Sequence, residues 1–216
     1  EKARIPYANV GPVKIPDSVA DDQALMLSDV FPTGYFGAEL AEITPGDTVA
    51  VFGCGPVGLF AIASAKLLGA GRIFAVDSVP SRLELARGQG AEIVNYEKED
   101  PVEIILQLTG GIGVDRVIDA VGVDAERAHS GPAKEKSDMM DQQFKQQLKQ
   151  VAPDADLNAR SWKPGDAPSQ ALVWEMETID KAGTLAIIGV YPDTVQFFPL
   201  GKAMEKNLTL KMGNCN

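Results

Sequence analysis

Histidine and cysteine are scarce here. The 216 residues hold one histidine, His129, and two cysteines, Cys54 and Cys215. A Ser-His-Asp hydrolase would need that histidine beside a GxSxG elbow, and the elbow is absent. Two cysteines form no disulfide framework and no paired CxxC zinc knuckle, so a reducing cytoplasm is the expected setting. Apolar runs are all too short to cross a bilayer, and no signal-peptide pattern is present. Positive charge is also short, with 20 Lys and Arg against 30 Asp and Glu, a net charge of −10. Phosphates would be repelled, which argues against nucleic acid and anionic membranes as partners. Internal repeats are absent too. The hydrophobic content of 45% is ordinary for a real core.

From about residue 47 short β-rich runs alternate with longer helical segments. The runs are DTVAVFG (47–53), GRIFAVD (71–77), AEIVN (91–95), GVDRVIDAVG (113–122), GTLAIIGV (183–190) and NLTLKM (207–212). Helices are expected at Pro56–Leu68, Pro80–Gln89, Pro101–Leu108, Ser169–Lys181 and near 200–205. This alternation predicts an α/β fold with a parallel sheet covered on both faces. Six strands so connected fit the doubly wound Rossmann arrangement, order 3-2-1-4-5-6. Residues 124–168 break the rhythm and are read as an insertion after the fourth strand. One amphipathic helix is expected in it, with Met140, Phe144, Leu148 and Val151 on one face, followed by a turn-rich return through Pro153 and Pro164. A surface excursion is the plainer role; capping a cofactor or building an oligomer contact is the alternative.

VFGCGPVGLF places Gly53, Gly55 and Gly58 in a GxGxxG pattern that ends a strand and opens a helix. Gly53 permits the tight turn, Gly55 admits a pyrophosphate to the backbone, and Gly58 lets helix and strand pack closely. Pro56 and Val57 lie inside the same loop and join the candidate cofactor set. The helix N-terminus offers free N–H groups to phosphate. Asp77 ends the second strand about twenty residues on, where a carboxylate accepts ribose hydroxyls and repels a 2′-phosphate. NAD is therefore expected over NADP. Arg82 is placed beside the adenosine ribose, and Ser78 is available to cap the next helix before Pro80.

Upstream, LSDVFPTGY (27–35) reads as the end of a short helix that stops before Pro32, with Asp29 set against the negative end of its dipole. PGDTVAVFGCGPVGLFAIASAKLLGAGRIFAVD, this upstream stretch, GTLAIIGVYP and EKNLTLKMGNCN together resemble the cofactor domain of medium-chain, zinc-dependent alcohol dehydrogenases. They are most similar to the glutathione-independent formaldehyde dehydrogenases. The resemblance covers nearly the whole chain, the insertion least. It implies that residues 1–22 are the end of a GroES-like catalytic domain and its hinge, and that 23–216 are the NAD-binding domain. The opening EKARIPYANV, without an initiator methionine, and the close at MGNCN then look like the ends of a cut piece.

The resemblance also implies roles. Asp29, within LSD, matches the third ligand of a catalytic zinc whose cysteine and histidine ligands lie in the other domain. With an open coordination position, such a zinc acts as a Lewis acid on a substrate oxygen. Thr33 matches a residue against the nicotinamide, and Val57 one behind its ring. Ile188, Gly189, Val190, Met212 and Gly213 match positions whose backbone holds the carboxamide. The implied activity is hydride transfer between NAD and a small alcohol or aldehyde, the chain by itself being inactive. An NAD-binding module without chemistry and a zinc-free quinone reductase are the alternatives; the latter lacks an acid or cysteine at the Asp29 position. Homo-oligomers are expected through the sixth-strand edge, with TVQFFPL (194–200) as apolar edge surface. Cys54, Trp162 and Trp174 read as packing, His129 as solvated surface, and Asp115 and Asp119 as the polar ends of a strand.

Overall fold

The computed structural model describes residues 4–153 and 162–215. Six parallel strands form one sheet in the order β3-β2-β1-β4-β5-β6, as the sequence pattern predicts. They are β1 (Thr48–Phe52), β2 (Arg72–Asp77), β3 (Glu92–Asn95), β4 (Val114–Asp119), β5 (Ile179–Ile187) and β6 (Thr209–Met212). Alternation along β1 builds two cores: Ala50 and Phe52 face one cluster, Val49 and Val51 the other. The Val49 side is covered by α2 (Val30–Leu40), α3 (Pro56–Leu67) and α4 (Pro80–Gly88). The Phe52 side is covered by α5 (Pro101–Leu108), α8 (Gln170–Thr178) and α9 (Leu200–Glu205). Pro56, Pro80 and Pro101 each open a helix, where a missing N–H costs nothing and the fixed φ suits the first turn.

Several elements differ from the sequence expectation. Helix α1 (Asp21–Met26) ends early, and a new helix, α2, carries Pro32 in its first turn, a position proline tolerates. Asp29 is thus the N-cap residue of α2 and faces the favourable end of a dipole, not the unfavourable end. Helix α8 stops at Thr178, where the side chain folds back onto Trp174 O and Glu175 O, and β5 begins at once. Ala182, at φ 60, irregularly joins the two halves of that strand.

The insertion carries two helices rather than one, α6 (Ala133–Met139) and α7 (Asp141–Val151), broken at Met140. Phe144 and Val151 are buried as expected, but Gln147 is buried with them while Leu148 is only partly so. Residues 154–161 of the expected return lie outside the described residues. The excursion is fastened at its neck, where Gly165 N donates to Val123 O (3.0 Å) and Ala167 N to Ala125 O (3.0 Å). Arg127 ties both limbs, donating to Asp166 and Asp141 (each 2.8 Å) with its guanidinium over the Phe144 ring. Ser130 and the His129 N–H bind Glu97, and Lys136 reaches Asp100 and Glu103 at the start of α5.

Candidate functional site

A crevice of about 440 Å³ opens over the carboxyl ends of β1, β2 and β4. That is where the strand order reverses, the usual ligand position in open parallel sheets. The glycine loop forms its floor, and its three glycines sit in different surroundings. Gly53 adopts φ +86, a conformation that excludes ordinary side chains. A Cβ on Gly58 would lie 1.8 Å from Gly53 O, so strand and helix can approach only without one. A Cβ on Gly55 would meet no protein atom within 4 Å. Gly55 lines the crevice and caps α3, with Pro56 as the first helical residue and Val57 behind it. No packing demand explains Gly55; a ligand at the helix N-terminus would.

Asp77 ends β2 as a nearly buried crevice wall. One carboxylate oxygen accepts the Cys54 N–H of the glycine loop (2.7 Å); the other accepts the N–H groups of Ser78 and Val79 (each 2.8 Å). It therefore fastens the loop as well as facing the crevice. The Arg82 guanidinium lies 3.8 Å away and is half exposed. Ser78 lines the crevice but caps nothing, since Val79 holds the N-cap position of α4 without a side-chain bond. Cys54 is fully buried, and burial together with the Asp77 charge pushes its thiol up to about 12. A thiol so held is no nucleophile at neutral pH.

The far wall contains residues that sequence reading did not assign to the site. Tyr96 and Trp174 meet at 5.2 Å between ring centroids and both line the crevice. Burial pushes the Tyr96 phenol up to about 12. Asp124, Ala125 and Glu126, the first residues of the insertion, complete that side. Trp162 is exposed and donates from its indole N–H to Asp124 (3.0 Å), so it is a surface contact rather than packing. The plain surface-excursion reading of the insertion thus fails at its start, although His129 is exposed as expected.

Asp29 and Thr33 are brought together: the Thr33 hydroxyl donates to Asp29 Oδ1 at 3.0 Å across one turn of α2. Helix α2 packs on α3 at Gly34, whose Cβ would meet Phe60 and Ala61, and on Ile188 at Gly37. Phe36 of the same helix approaches Gly213. Ile188 and Gly189 follow β5, next to Met212 and Gly213 at the end of β6, with Gly213 N donating to Ile187 O (3.4 Å). Asp29 is exposed, and no group of three or more His, Cys, Asp or Glu side chains that could hold a metal ion occurs among the described residues. By themselves these residues do not make a zinc site.

Asp115 is a strand-end residue as read, accepting the Thr48 N–H at 2.7 Å. Asp119 is more than that. It is completely buried, and its Oδ1 accepts the N–H groups of Val121 (2.8 Å) and Gly122 (2.9 Å) while Oδ2 accepts the Tyr191 hydroxyl (2.7 Å). Burial raises its carboxyl above the ordinary range despite those bonds. Glu175 of α8 is fully buried, and among the described residues no donor reaches either of its oxygens. Burial first, then the Asp119 charge, raises its carboxyl well above the ordinary range. A proton is the cheapest way to hold such a group in the interior.

The expected apolar edge is only partly there. Strand β6 is one edge of the sheet, but Phe197 and Phe198 pack against the protein's own core. Among the described residues, no helix is long and apolar enough to cross a membrane.

Comparison with known proteins agrees with this geometry. The family described as zinc-binding dehydrogenase matches residues 56–130. The chain is 36% identical over 217 residues to an uncharacterized zinc-type alcohol dehydrogenase-like protein, AdhB, of Bacillus subtilis, covering 99% of this chain and 50% of that one. It is 43% identical over 141 residues to the glutathione-independent formaldehyde dehydrogenase of Pseudomonas aeruginosa, covering 62% and 35%. It is 51% identical over 109 residues to the NADP-dependent isopropanol dehydrogenase of Entamoeba histolytica, covering 50% and 30%. Among solved structures, the alcohol dehydrogenase TADH from Thermus sp. ATN1 superposes with a TM-score of 0.72 at 30% identity, over 98% of this chain and 48% of that one. The chain spans half or less of the length of these relatives.

Proposed function

Since the chain belongs to the zinc-type alcohol dehydrogenase family and folds as its cofactor domain, we propose that it binds NAD for hydride transfer to or from a small alcohol or aldehyde. The observation that carries the dinucleotide is Gly55. Its missing Cβ answers to open crevice, not to packing, at the N-terminus of a helix. The pyrophosphate would lie over Gly53–Gly58. The adenosine ribose would lie toward Asp77, Ser78 and Arg82, and the nicotinamide toward Val57, Thr33 and the ends of β5 and β6 at Ile188, Gly189, Val190, Met212 and Gly213. The cofactor, when bound, supplies the hydride chemistry; these residues supply binding and orientation.

NAD is proposed over NADP because Asp77 sets a carboxylate, already committed to three N–H groups, against a 2′-phosphate. Calorimetric titration of the chain with NAD and NADP tests this directly. Tighter binding of NAD is expected; tighter binding of NADP would sink the role given to Asp77. One relative named as NADP-dependent makes the comparison informative.

Asp29 is proposed as a single carboxylate ligand to a zinc whose other ligands lie outside these residues. Zinc analysis of the protein carrying those ligands is the measurement, and equal metal content in Asp29→Asn would remove the role. The 216 residues alone are proposed to bind cofactor without oxidising alcohols, because Asp29 stands as the one matched metal donor among them. Alcohol oxidation by the purified chain would overturn that. Formaldehyde is proposed as one substrate within a wider alcohol and aldehyde class, with homo-oligomers forming through the β6 edge in the cytoplasm.

A further inference from the structure

We infer that Asp119 is a positioning residue for the nicotinamide half of the dinucleotide, locking the turn after β4 to the end of β5 with Tyr191 as a third tie. The inference rests on the dinucleotide reading above and specifies how one half of that site is held.

The geometry argues it in three steps. A dinucleotide carries its pyrophosphate in the middle. With the pyrophosphate over the β1 glycine loop and the adenosine ribose at the end of β2, the remaining half must extend over β4 and β5. That side of the crevice is walled by Val121, whose side chain would contact a Cβ on Gly53.

Nothing but backbone separates Val121's turn from the end of β5. A Cβ on Gly122 would lie 2.4 Å from Val190 N and 2.5 Å from Val190 O. A Cβ on Gly189 would lie 2.3 Å from Gly122 N and 2.8 Å from Asp119 Oδ1. Such contact between two main chains fixes their separation but not their orientation.

Asp119 supplies the orientation. Its carboxylate takes the N–H groups of Val121 and Gly122, while its carbonyl takes those of Ile188 (3.0 Å) and Gly189 (2.9 Å). Val123 N closes the other side onto Val190 O (3.0 Å). One residue thus aims both segments. Because Ile188 N and Gly189 N are spent on this clamp, a carboxamide must be read by other groups of the segment, the second lone pair of Val190 O among them. The Tyr191 hydroxyl, donating to Oδ2, fastens the chain where it leaves the strand. A carboxylate buried without solvent holds its donors more rigidly than an exposed one would.

The test uses two ligands on the 216-residue chain: NAD and ADP-ribose, which lacks nicotinamide. Calorimetry gives the ratio of their dissociation constants for the unsubstituted chain, Tyr191→Phe and Asp119→Asn. The unsubstituted chain should bind NAD more tightly than ADP-ribose. Tyr191→Phe should weaken NAD about tenfold, the order expected for losing one charge-assisted bond, and leave ADP-ribose unchanged. Asp119→Asn should shift the ratio further in the same direction, and if it does not fold, Tyr191→Phe decides alone. A ratio that neither variant moves, or equal losses for both ligands, overturns the positioning role. So does an unsubstituted chain that binds ADP-ribose as tightly as NAD. An unsubstituted chain that binds neither ligand overturns the dinucleotide reading, and the inference with it.

Discussion

Two aspartates end the strands on either side of β1 in similar sequence, Asp77 in RIFAVD and Asp119 in RVID, and sit in different surroundings. Each takes backbone N–H groups from the turn that follows it. Each also takes one distant donor, the Cys54 N–H for Asp77 and the Tyr191 hydroxyl for Asp119. Asp77 sits in the crevice wall with Arg82 at its side; Asp119 is sealed behind the wall near Glu175. The lesson is that the same local bonding leaves one carboxylate facing the crevice and seals the other in the interior.

The sharpest way to break the comparison is truncation. Asp119→Ala leaves two N–H groups and a tyrosine hydroxyl unsatisfied in the interior and should cost about 3–5 kcal/mol in chemical denaturation. Asp77→Ala leaves the buried Cys54 N–H but also the part-exposed N–H groups of Ser78 and Val79 beside the crevice, and should cost less, about 1–2 kcal/mol. Equal losses would mean that burial does not distinguish them. A comparable effect is expected inside the glycine loop. Gly58→Ala, with its Cβ against Gly53 O, should lose about 3 kcal/mol.

A smaller effect comes from Glu175. An acid whose folded pKa lies above its unfolded value contributes stability that is fully present below about pH 4.5 and lost as pH rises toward the folded value. Asp119 shifts in the same direction. Denaturation midpoints of Glu175→Gln should therefore fall less steeply as pH rises above about 4.5 than those of the unsubstituted chain; parallel pH profiles would contradict a protonated Glu175. The smallest stability change is expected at Gly55. Gly55→Ala should stay within about 0.5 kcal/mol yet lose NAD binding by titration, because its Cβ would enter only the crevice.

The sequence made the sheet order, the three proline-led helices and the glycine loop legible, because each is written in adjacent residues. Asp77 was legible as well, through its spacing from the loop. Asp119 was not, because its decisive partner, Tyr191, lies 72 positions away and no local pattern announces it. Trp174 packs as read, but nothing in its helix reveals that Tyr96 meets it on the crevice wall. Pro32 misled the reading of LSDVFPTGY, because a proline in a first turn and a proline after a last turn look alike without the neighbouring cap. With α2 restored, Asp29 and Thr33 become one bonded pair at a helix start.

The zipped neck of the 124–168 excursion carries an evolutionary consequence. Its two backbone bonds set the spacing of residues 123–125 and 165–167 whatever lies between them. Past the part that Ala128, Ala133 and Lys136 anchor to the body, chain can lengthen or shorten at a loop-closure cost that grows only slowly with length. The fold thus offers a graft site: a place beside the crevice where new segments can be tried without rebuilding the sheet that holds it.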